Sequence, residues 1–306
     1  MKGQILRILR SENGIVSGET LSNALGVSRV SIWKHIKKLN ELGYEIPAVS
    51  TGYQLKRSPD PLFPWEFSGR ASKIHYFKEV TSTMDIARDL ARKGCPDFTV
   101  VIAGRQKKGR GRMKRVWLSS KGGLYFTLVL RPELPPVFST RVTFLASLVL
   151  ARTLRKMFDI DAKVKWPNDI LVSDKKISGI LSEMEAEGDR VTFINIGMGI
   201  NVNNDPAPEE PAAVSLKKIM GKDISRREVL ERFLDAFERR MESRTFDHVI
   251  SEWKEYTLTL NRQVKIVTAR ETSEGIAVDV DENGALILQL ADGSIKKVTH
   301  GDCFLQ

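Results

Sequence analysis

Apolar residues recur at helical spacing over the first sixty positions and then give way to an alternation of strand-like and helix-like runs. Ile5, Leu6, Ile8 and Leu9 predict a first helix, broken at Gly14. Ser17 is placed to cap a second helix that runs through Leu21 and Leu25 and stops at Gly26. Ser28 caps a third, in which Ile32, Ile36 and Leu39 form one apolar stripe and Gly43 follows the C-terminal cap. The short Gly26-Val27 turn between the second and third helices is the connection expected of a helix-turn-helix. Two short strands, Tyr44 to Val49 and Tyr53 to Leu55, around Ser50-Thr51-Gly52 would add a wing. Ser58-Pro59-Asp60-Pro61, with Pro64 close behind, resists regular structure and is expected to be a linker.

From about 65 to 260 the pattern predicts a mixed α/β domain. Strands are expected at Ile74 to Phe77, Thr99 to Ala103 and Leu124 to Leu130, near Val164 and Ile170, and at Ile177 to Glu183 and Val191 to Met198. Helices are expected at Met84 to Arg92, Val142 to Met157, Arg226 to Arg240 and Phe246 to Tyr256. From 261 to 306 four short alternating strands, Val264 to Val267, Ile276 to Asp279, Ala285 to Leu290 and Ile295 to Val298, with turns at Asn283-Gly284 and Asp292-Gly293, fit a small SH3-like β-barrel. The expected whole is a multidomain α+β protein with boundaries at 1–60, 65–260 and 261–306.

Composition narrows the partners. The chain of 306 residues carries a formal charge of +10, and that charge is clustered. Residues 1–59 hold nine Lys or Arg against four Glu, and residues 104–117 hold seven basic side chains and no acid. One cluster suits a duplex and the other suits phosphates on a small molecule. Cys95 and Cys303 stand in no metal-binding or disulfide spacing. The longest apolar stretch, Val142 to Ala151, is interrupted by Thr143 and Ser147 and falls short of the roughly 20 residues of a membrane span. The N-terminus leads into amphipathic sequence with no export signal, so a cytoplasmic protein with no membrane partner is expected.

On the third helix Arg29, Lys34, Lys37 and Lys38 fall away from the apolar stripe, as a major-groove reader requires. Ser28, Arg29, Ser31, Lys34, His35 and Lys37 are its candidate contacts to operator DNA. A single basic amphipathic helix is more often just a solvated face; three helices and a wing in order reverse that and favour DNA. Trp33 would read bases only if exposed, and is expected instead to pack against the wing.

The segment Gly104-Arg105-Gln106-Lys107-Lys108-Gly109-Arg110-Gly111-Arg112-Met113-Lys114-Arg115-Val116-Trp117 cannot be core. Its glycines let backbone N–H groups approach an anion, and its guanidinium forks suit carboxylate or phosphate oxygens. It is no P-loop, because Arg110-Gly111 stands where Lys-Ser/Thr would be required, and Gly197-Met198-Gly199 lacks the third glycine of a dinucleotide fingerprint. Taken alone, the loop is equally a second nucleic-acid patch or a disordered Arg-Gly segment.

Gln106 with the run Gly109 to Arg112, Arg115 and Trp117, the string Lys165 to Asp169, the string Lys176 to Leu181 and Gly199 to Asn201 together resemble the biotin-protein ligases. With the winged head in front, the chain is most similar to the bifunctional ligases that also repress biotin operons. That resemblance covers essentially the whole chain and implies a central domain of the class II synthetase and biotin-ligase type. It implies that Ser82, Thr83, Met84, Gln106, Gly109, Arg110, Gly111, Arg112, Lys176 and Gly179 surround biotin, with Lys176 and Arg112 catalytic. It implies that Arg112, Arg115, Trp117, Asn168 and Asn201 hold ATP or the adenylate, and that Asp169 orients a magnesium ion. Trp166-Pro167 is equally a packed turn and Asn201 a capping side chain. Met84 and Lys108 depart from the residues relatives often carry, and neither replaces a required charge.

The implied chemistry has two steps, formation of biotinyl-5′-adenylate from biotin and ATP and then transfer of biotin to a lysine on the biotin carboxyl carrier domain of a carboxylase. No protein nucleophile is needed, and no Ser-His-Asp or Cys-His arrangement is recognisable. The adenylate would double as corepressor by promoting a homodimer, with the strand around Val191 to Ile196 as the candidate edge. The tail is either structural support or an aid to binding ATP or the carrier protein. Two alternatives stay open at this point: a lipoate-protein ligase, and a DNA-binding sensor without catalysis.

Overall fold

The computed structural model describes residues 1–60, 62–243 and 246–306, in two compact units, 1–72 and 73–306. Pro61, one residue of the expected linker, lies outside the described residues.

In the first unit, α1 (Lys2–Ser11), α2 (Gly18–Leu25) and α3 (Arg29–Glu41) form where their caps place them. The Ser17 hydroxyl accepts from the Thr20 amide at 2.9 Å and that of Ser28 from Ser31 at 3.2 Å, each satisfying an N–H that has no partner inside its helix. Gly26 closes α2 in the left-handed conformation. Leu6, Leu9, Leu21, Ile32, Ile36 and Leu39 bury against one another. The wing is shorter than expected: β1 (Ala48–Val49) and β2 (Gly52–Tyr53) are two residues each. Pro47 has no N–H to give a ladder, so the run from Tyr44 continues only as an isolated bridge between Glu45 and Arg57. Trp33 is not buried. It is 51% exposed, against expectation.

The expected linker also differs. Pro64–Glu66 forms a single 3-10 turn, Phe63 and Trp65 stack at 4.7 Å, and Leu62 and Phe67 are buried. The nearly inaccessible Glu66 carboxylate accepts from Arg10 at 2.9 Å and from the Tyr44 hydroxyl. Burial and this carboxylate push the Tyr44 phenol well above its ordinary value. Residues 62–72 therefore belong to the first unit rather than separating it from the second.

The second unit begins with β3 (Ile74–Phe77), α4 (Thr83–Arg92) and β4 (Thr99–Ala103). Two short strands, β5 (Gly109–Arg110) and β6 (Val116–Trp117), precede β7 (Leu124–Leu130) and α5 (Ser139–Phe158). Next come β8 (Lys163–Lys165), β9 (Asp169–Val172), β10 (Lys175–Glu187), β11 (Arg190–Ile200), α6 (Leu216–Met220), α7 (Arg226–Glu242) and α8 (Val249–Lys254). Seven strands form one sheet in the order β3-β4-β7-β11-β10-β9-β8, antiparallel except for β3 with β4. Every residue of β7 is buried, as a strand covered on both faces demands. Ala87 and Ala91 of α4 pack on Val129, whereas Phe233 of α7 packs on Phe126, so the helices cover opposite faces. The five-residue α6, capped by Ser215, is too short for its periodicity to show in the sequence.

Two expectations gain detail from the structure. The strand around Val191 to Ile196 is an edge only at its start: Val191 and Phe193 pair with β10 alone, whereas Ile194 pairs with both Leu130 and Met184, and Ile196 with both Leu128 and Ser182. Thr192 and Asn195 interrupt its apolar residues, Thr192 is exposed and Val191 half-buried, and the outermost strands of the sheet are β3 and β8. Residues 136–158 are long and apolar enough to cross a membrane on composition alone. Eleven residues of α5 are nevertheless buried, Phe144 lies 4.9 Å from the Trp253 ring and Ser147 accepts from its indole N–H at 3.0 Å, so α5 is a core helix.

The tail is a five-stranded antiparallel sheet of β12 (Gln263–Val267), β13 (Thr272–Val280), β14 (Leu286–Gln289), β15 (Ile295–Val298) and β16 (Asp302–Leu305), ordered β15-β14-β13-β12-β16. It holds one strand more than expected, because four residues at the end of the chain are too few to show alternation. Trp166 donates to the Gly284 carbonyl at 2.9 Å and ties the tail to the larger sheet. Burial in β16 pushes the Cys303 thiol up to about 11, whereas Cys95 is only half-buried. Because the thiolate is the reactive form, a thiol titration of the native protein at pH 8 is expected to find Cys95 modified quickly and Cys303 only on unfolding. Equal rates would contradict this placement.

Candidate active site

The pairing of β10 with β11 sets Gly179 directly opposite Gly199. Two facing glycines leave a notch in the sheet surface, and the Trp117 indole fills it. A Cβ at 199 would stand 2.3 Å from Trp117 Nε1, and one at 179 would stand 2.9 Å from Cζ3. Trp117 arrives there on the β5–β6 hairpin, in which Gly109 pairs with Trp117 and Arg110 with Val116. Met113 and Lys114 turn the hairpin in the left-handed conformation, at φ of 50° and 62°. The Arg-Gly segment is thus an ordered hairpin, not a disordered one. The Trp117 indole N–H is buried without a protein partner, a donor available to a bound molecule.

At one end of the notch, Ser82 caps α4 and Gln106 locks its first turn. Gln106 Oε1 accepts from the Thr83 amide at 2.8 Å and its hydroxyl at 3.1 Å, while Gln106 Nε2 donates to Ser119 at 2.9 Å. Thr127 donates to Thr83 from the sheet at 2.8 Å. Met84 lies on Gly197, where a Cβ would come within 2.5 Å of its sulfur. Cations gather at the other end. Lys176 Nζ sits 2.8 Å from Asp169 and 5.3 Å from the Trp117 ring centre, with Lys165 at 3.7 Å from the other oxygen of Asp169. Arg112 donates to Asn168 at 3.2 Å, and Asn168 in turn donates to the Ile180 carbonyl. Burial holds the Arg112 guanidinium below its usual value, opposed by the Asp169 carboxylate. A partly desolvated cation with a neutral partner favours an incoming anion.

All the residues expected in this unit except Gly109 line a single cavity. Gly109 lies beneath it, where a Cβ would meet the Trp117 carbonyl at 2.4 Å. Arg110 is less free than expected, since Asp85 at 3.0 Å and Glu183 both hold its guanidinium. Arg115 pairs with Asp302 of the tail, which puts the tail at the cavity rim. Asn201 is buried and accepts from Asn204 at 2.9 Å, yet it also faces the cavity. Trp166 is fully buried, in keeping with a packed turn. Sequence reasoning missed Asp85, Glu183, Ser119, Gly197 and Asp302; of these only Gly197 carries a local signal, as part of a glycine pair that fails as a nucleotide motif.

Asp169 does not fit a resident magnesium ion. Both its oxygens face lysine ammoniums, and the described residues contain no cluster of three or more metal-ligating side chains. In the first unit, Lys34 and Lys37 are exposed on α3, Ser28 and Ser31 bond each other at its cap, and Arg29 lies beside Gly18. His35 is set apart from them: its Nδ1 is buried without a partner. Burial, the nearby N-terminal ammonium, Lys2 and Lys38 hold its pKa below the ordinary value.

Comparison with known proteins decides the family. Residues 76–201 match the biotin/lipoate A/B protein ligase family, residues 2–54 an HTH domain and residues 259–306 the biotin protein ligase C terminal domain. The chain is 37% identical to the bifunctional ligase/repressor BirA of Bacillus subtilis over 305 residues, covering 95% of this chain and 94% of that one. The chain belongs to the bifunctional ligase/repressor family. BirA of Escherichia coli is 30% identical, over 95% of this chain and 92% of its own. A biotin protein ligase from Aquifex aeolicus, solved in complex with biotin and ATP, superposes with a TM-score of 0.64 at 31% identity, covering 76% of this chain and 98% of that one. In this bifunctional ligase/repressor the HTH match falls within the first unit and the other two matches within the second.

Proposed function

We propose that the chain condenses biotin with ATP to biotinyl-5′-adenylate, transfers biotin to a lysine of a carboxylase carrier domain, and represses biotin genes while adenylate remains bound. The observation that carries this reading is one cavity with a polar end at Ser82, Thr83 and Gln106, an aromatic wall at Trp117 and a cationic end at Lys176 and Arg112. The polar end suits the ureido ring of biotin. Gly179 makes room for the Trp117 indole and the Lys176 side chain, which stand over it between the two ends.

A biotin carboxylate oxygen then attacks the α-phosphorus of ATP and pyrophosphate leaves. Lys176 lies where it offsets charge shared between carboxylate and phosphate, and Arg112 and Arg115 grip the phosphates. Trp117, Asn168 and Asn201 place the adenylate. Magnesium enters with ATP, as part of that substrate. The hairpin from Gly109 to Trp117 keeps water from the mixed anhydride until the acceptor amine displaces AMP.

The three parts, residues 1–60 extended by the segment to 72, the ligase core and the tail from about 261, work in the cytoplasm as a reader, an enzyme and a rim. Adenylate-dependent pairing into a homodimer would let two heads span two operator half-sites, with the singly paired start of β11, Val191 to Phe193, as the candidate edge. The test is transfer of labelled biotin, with MgATP, onto a carrier domain in the presence of excess lipoate, alongside operator binding with and without adenylate. Transfer indifferent to lipoate and operator binding tightened by adenylate are expected. Biotin binding without transfer would make the cavity a sensor, and adenylate without effect on DNA would remove the repressor half.

A further inference from the structure

The exposed face of α3 is not purely basic. Val30, Trp33, Lys34 and Lys37 stand at spacings of three, four and seven residues, which stack them on one side of a helix. Val30 is 62% exposed and Trp33 51% exposed, and the Lys37 ammonium lies 5.6 Å from the Trp33 ring. A face that merely meets water has no use for a tryptophan and a valine side by side. Ile32, Ile36 and Leu39 already supply the stripe that holds the helix in the core.

Resting on the repressor reading above, we propose that Trp33 and Val30 read sequence by packing against thymine 5-methyl groups in the major groove. The charge on this face commits it to a polyanion, since Lys34 and Lys37 flank the apolar pair and the one carboxylate of α3, Glu41, stands at its far C-terminal end. On the floor of a major groove the 5-methyl of thymine is the one apolar feature that distinguishes a base pair. Lys34 and Lys37 then serve the phosphates on either side and fix register, while the apolar pair discriminates. Ser28 is occupied by its cap, which leaves the first turn with fewer polar readers than the sequence pattern implies.

The test uses the full-length chain loaded with biotin and MgATP. Its preferred duplex is selected from a random pool, and each thymine is then exchanged in turn for uracil, which removes only the methyl group. The native protein is expected to lose affinity at one or more specific thymines, by an amount approaching the tenfold typical of a mismatched pair. Trp33→Ala should lose about tenfold in the ratio of preferred to random duplex and become insensitive to those exchanges, with Trp33→Phe intermediate. Val30→Ala should lose sensitivity at a neighbouring thymine. Lys37→Ala should instead weaken all duplexes alike and lower the salt slope by about one.

Trp33→Ala weakening both duplexes equally, altering self-association in place of DNA binding, or leaving a native pattern of uracil sensitivity would overturn the assignment, as would native indifference to every exchange. Random-duplex binding by Trp33→Ala with a native salt slope reports that the head is still folded. If the native protein prefers no duplex at all, the repressor reading falls together with this one; if it does and the variants match it, only this one falls.

Discussion

Lys176→Ala is expected to slow adenylate formation by about a hundredfold to a thousandfold, the scale of removing one well-placed electrostatic contact to a developing charge. The substitution removes a cation and also uncovers an anion. Lys176 neutralises Asp169 at 2.8 Å, and without it that carboxylate is left to Lys165 at 3.7 Å and the weaker pull of Arg112. The phosphates of ATP would then approach a site whose charge has moved in the wrong direction twice. It follows that adding Asp169→Asn to Lys176→Ala should recover part of the loss, because the uncovered carboxylate is gone. Single-turnover release of pyrophosphate measures the step directly. A loss of less than tenfold, or a double variant no better than the single one, would show that Lys176 lies outside the reacting charge.

Gly109→Ala should weaken biotin binding by about tenfold to a hundredfold, since forcing extra volume into a packed site costs typically 1–3 kcal/mol. The added Cβ would lie 2.4 Å from the Trp117 carbonyl, 2.6 Å from Ser119 Oγ and 3.0 Å from Gln106 Nε2. The first of these is backbone and cannot rotate away, so the β5–β6 hairpin must open, and with it the Gln106–Ser119 hydrogen bond that fixes the polar end. Calorimetric titration with biotin reads the effect, with Lys108→Ala as the neighbouring exposed control. Equal affinities for the two variants would mean that the hairpin is not what shapes the biotin end.

The legible parts of this molecule are those set by local chemistry. Ser17, Ser28 and Gly26 announce the helices of the head, and the uniform apolar run at Leu124 to Leu130 announces a central strand because its residues need burial on both faces. The site is legible as a set of motifs, whose residues meet in one cavity. What cannot be read depends on distant partners. Asp85 and Glu183 flank Arg110 only after α4 and β10 fold together, and Asp302 meets Arg115 only through the tail. Val191 to Ile196 is only half legible, because a residue pattern says how a strand is buried and not that β7 lies beside it from Ile194 onward. Trp33 misleads for the opposite reason: large aromatics usually bury, and that tendency outweighs a helical position shared with Lys34 and Lys37 off the apolar stripe.

The Glu66 cluster has a practical bearing on how the ligase is separated from its reader. A fragment begun near residue 61, where the prolines invite a cut, would carry Leu62, Phe67 and the Glu66 carboxylate without Arg10 and Tyr44 to cover them. Such a fragment would display a raw apolar end and a stray carboxylate stripped of its partners, and would tend to self-associate for reasons unrelated to adenylate. Beginning at Lys73 instead leaves the whole cluster behind and opens the enzyme on its first strand. For a headless biotin-labelling reagent, the clean start is twelve residues later than the prolines advertise.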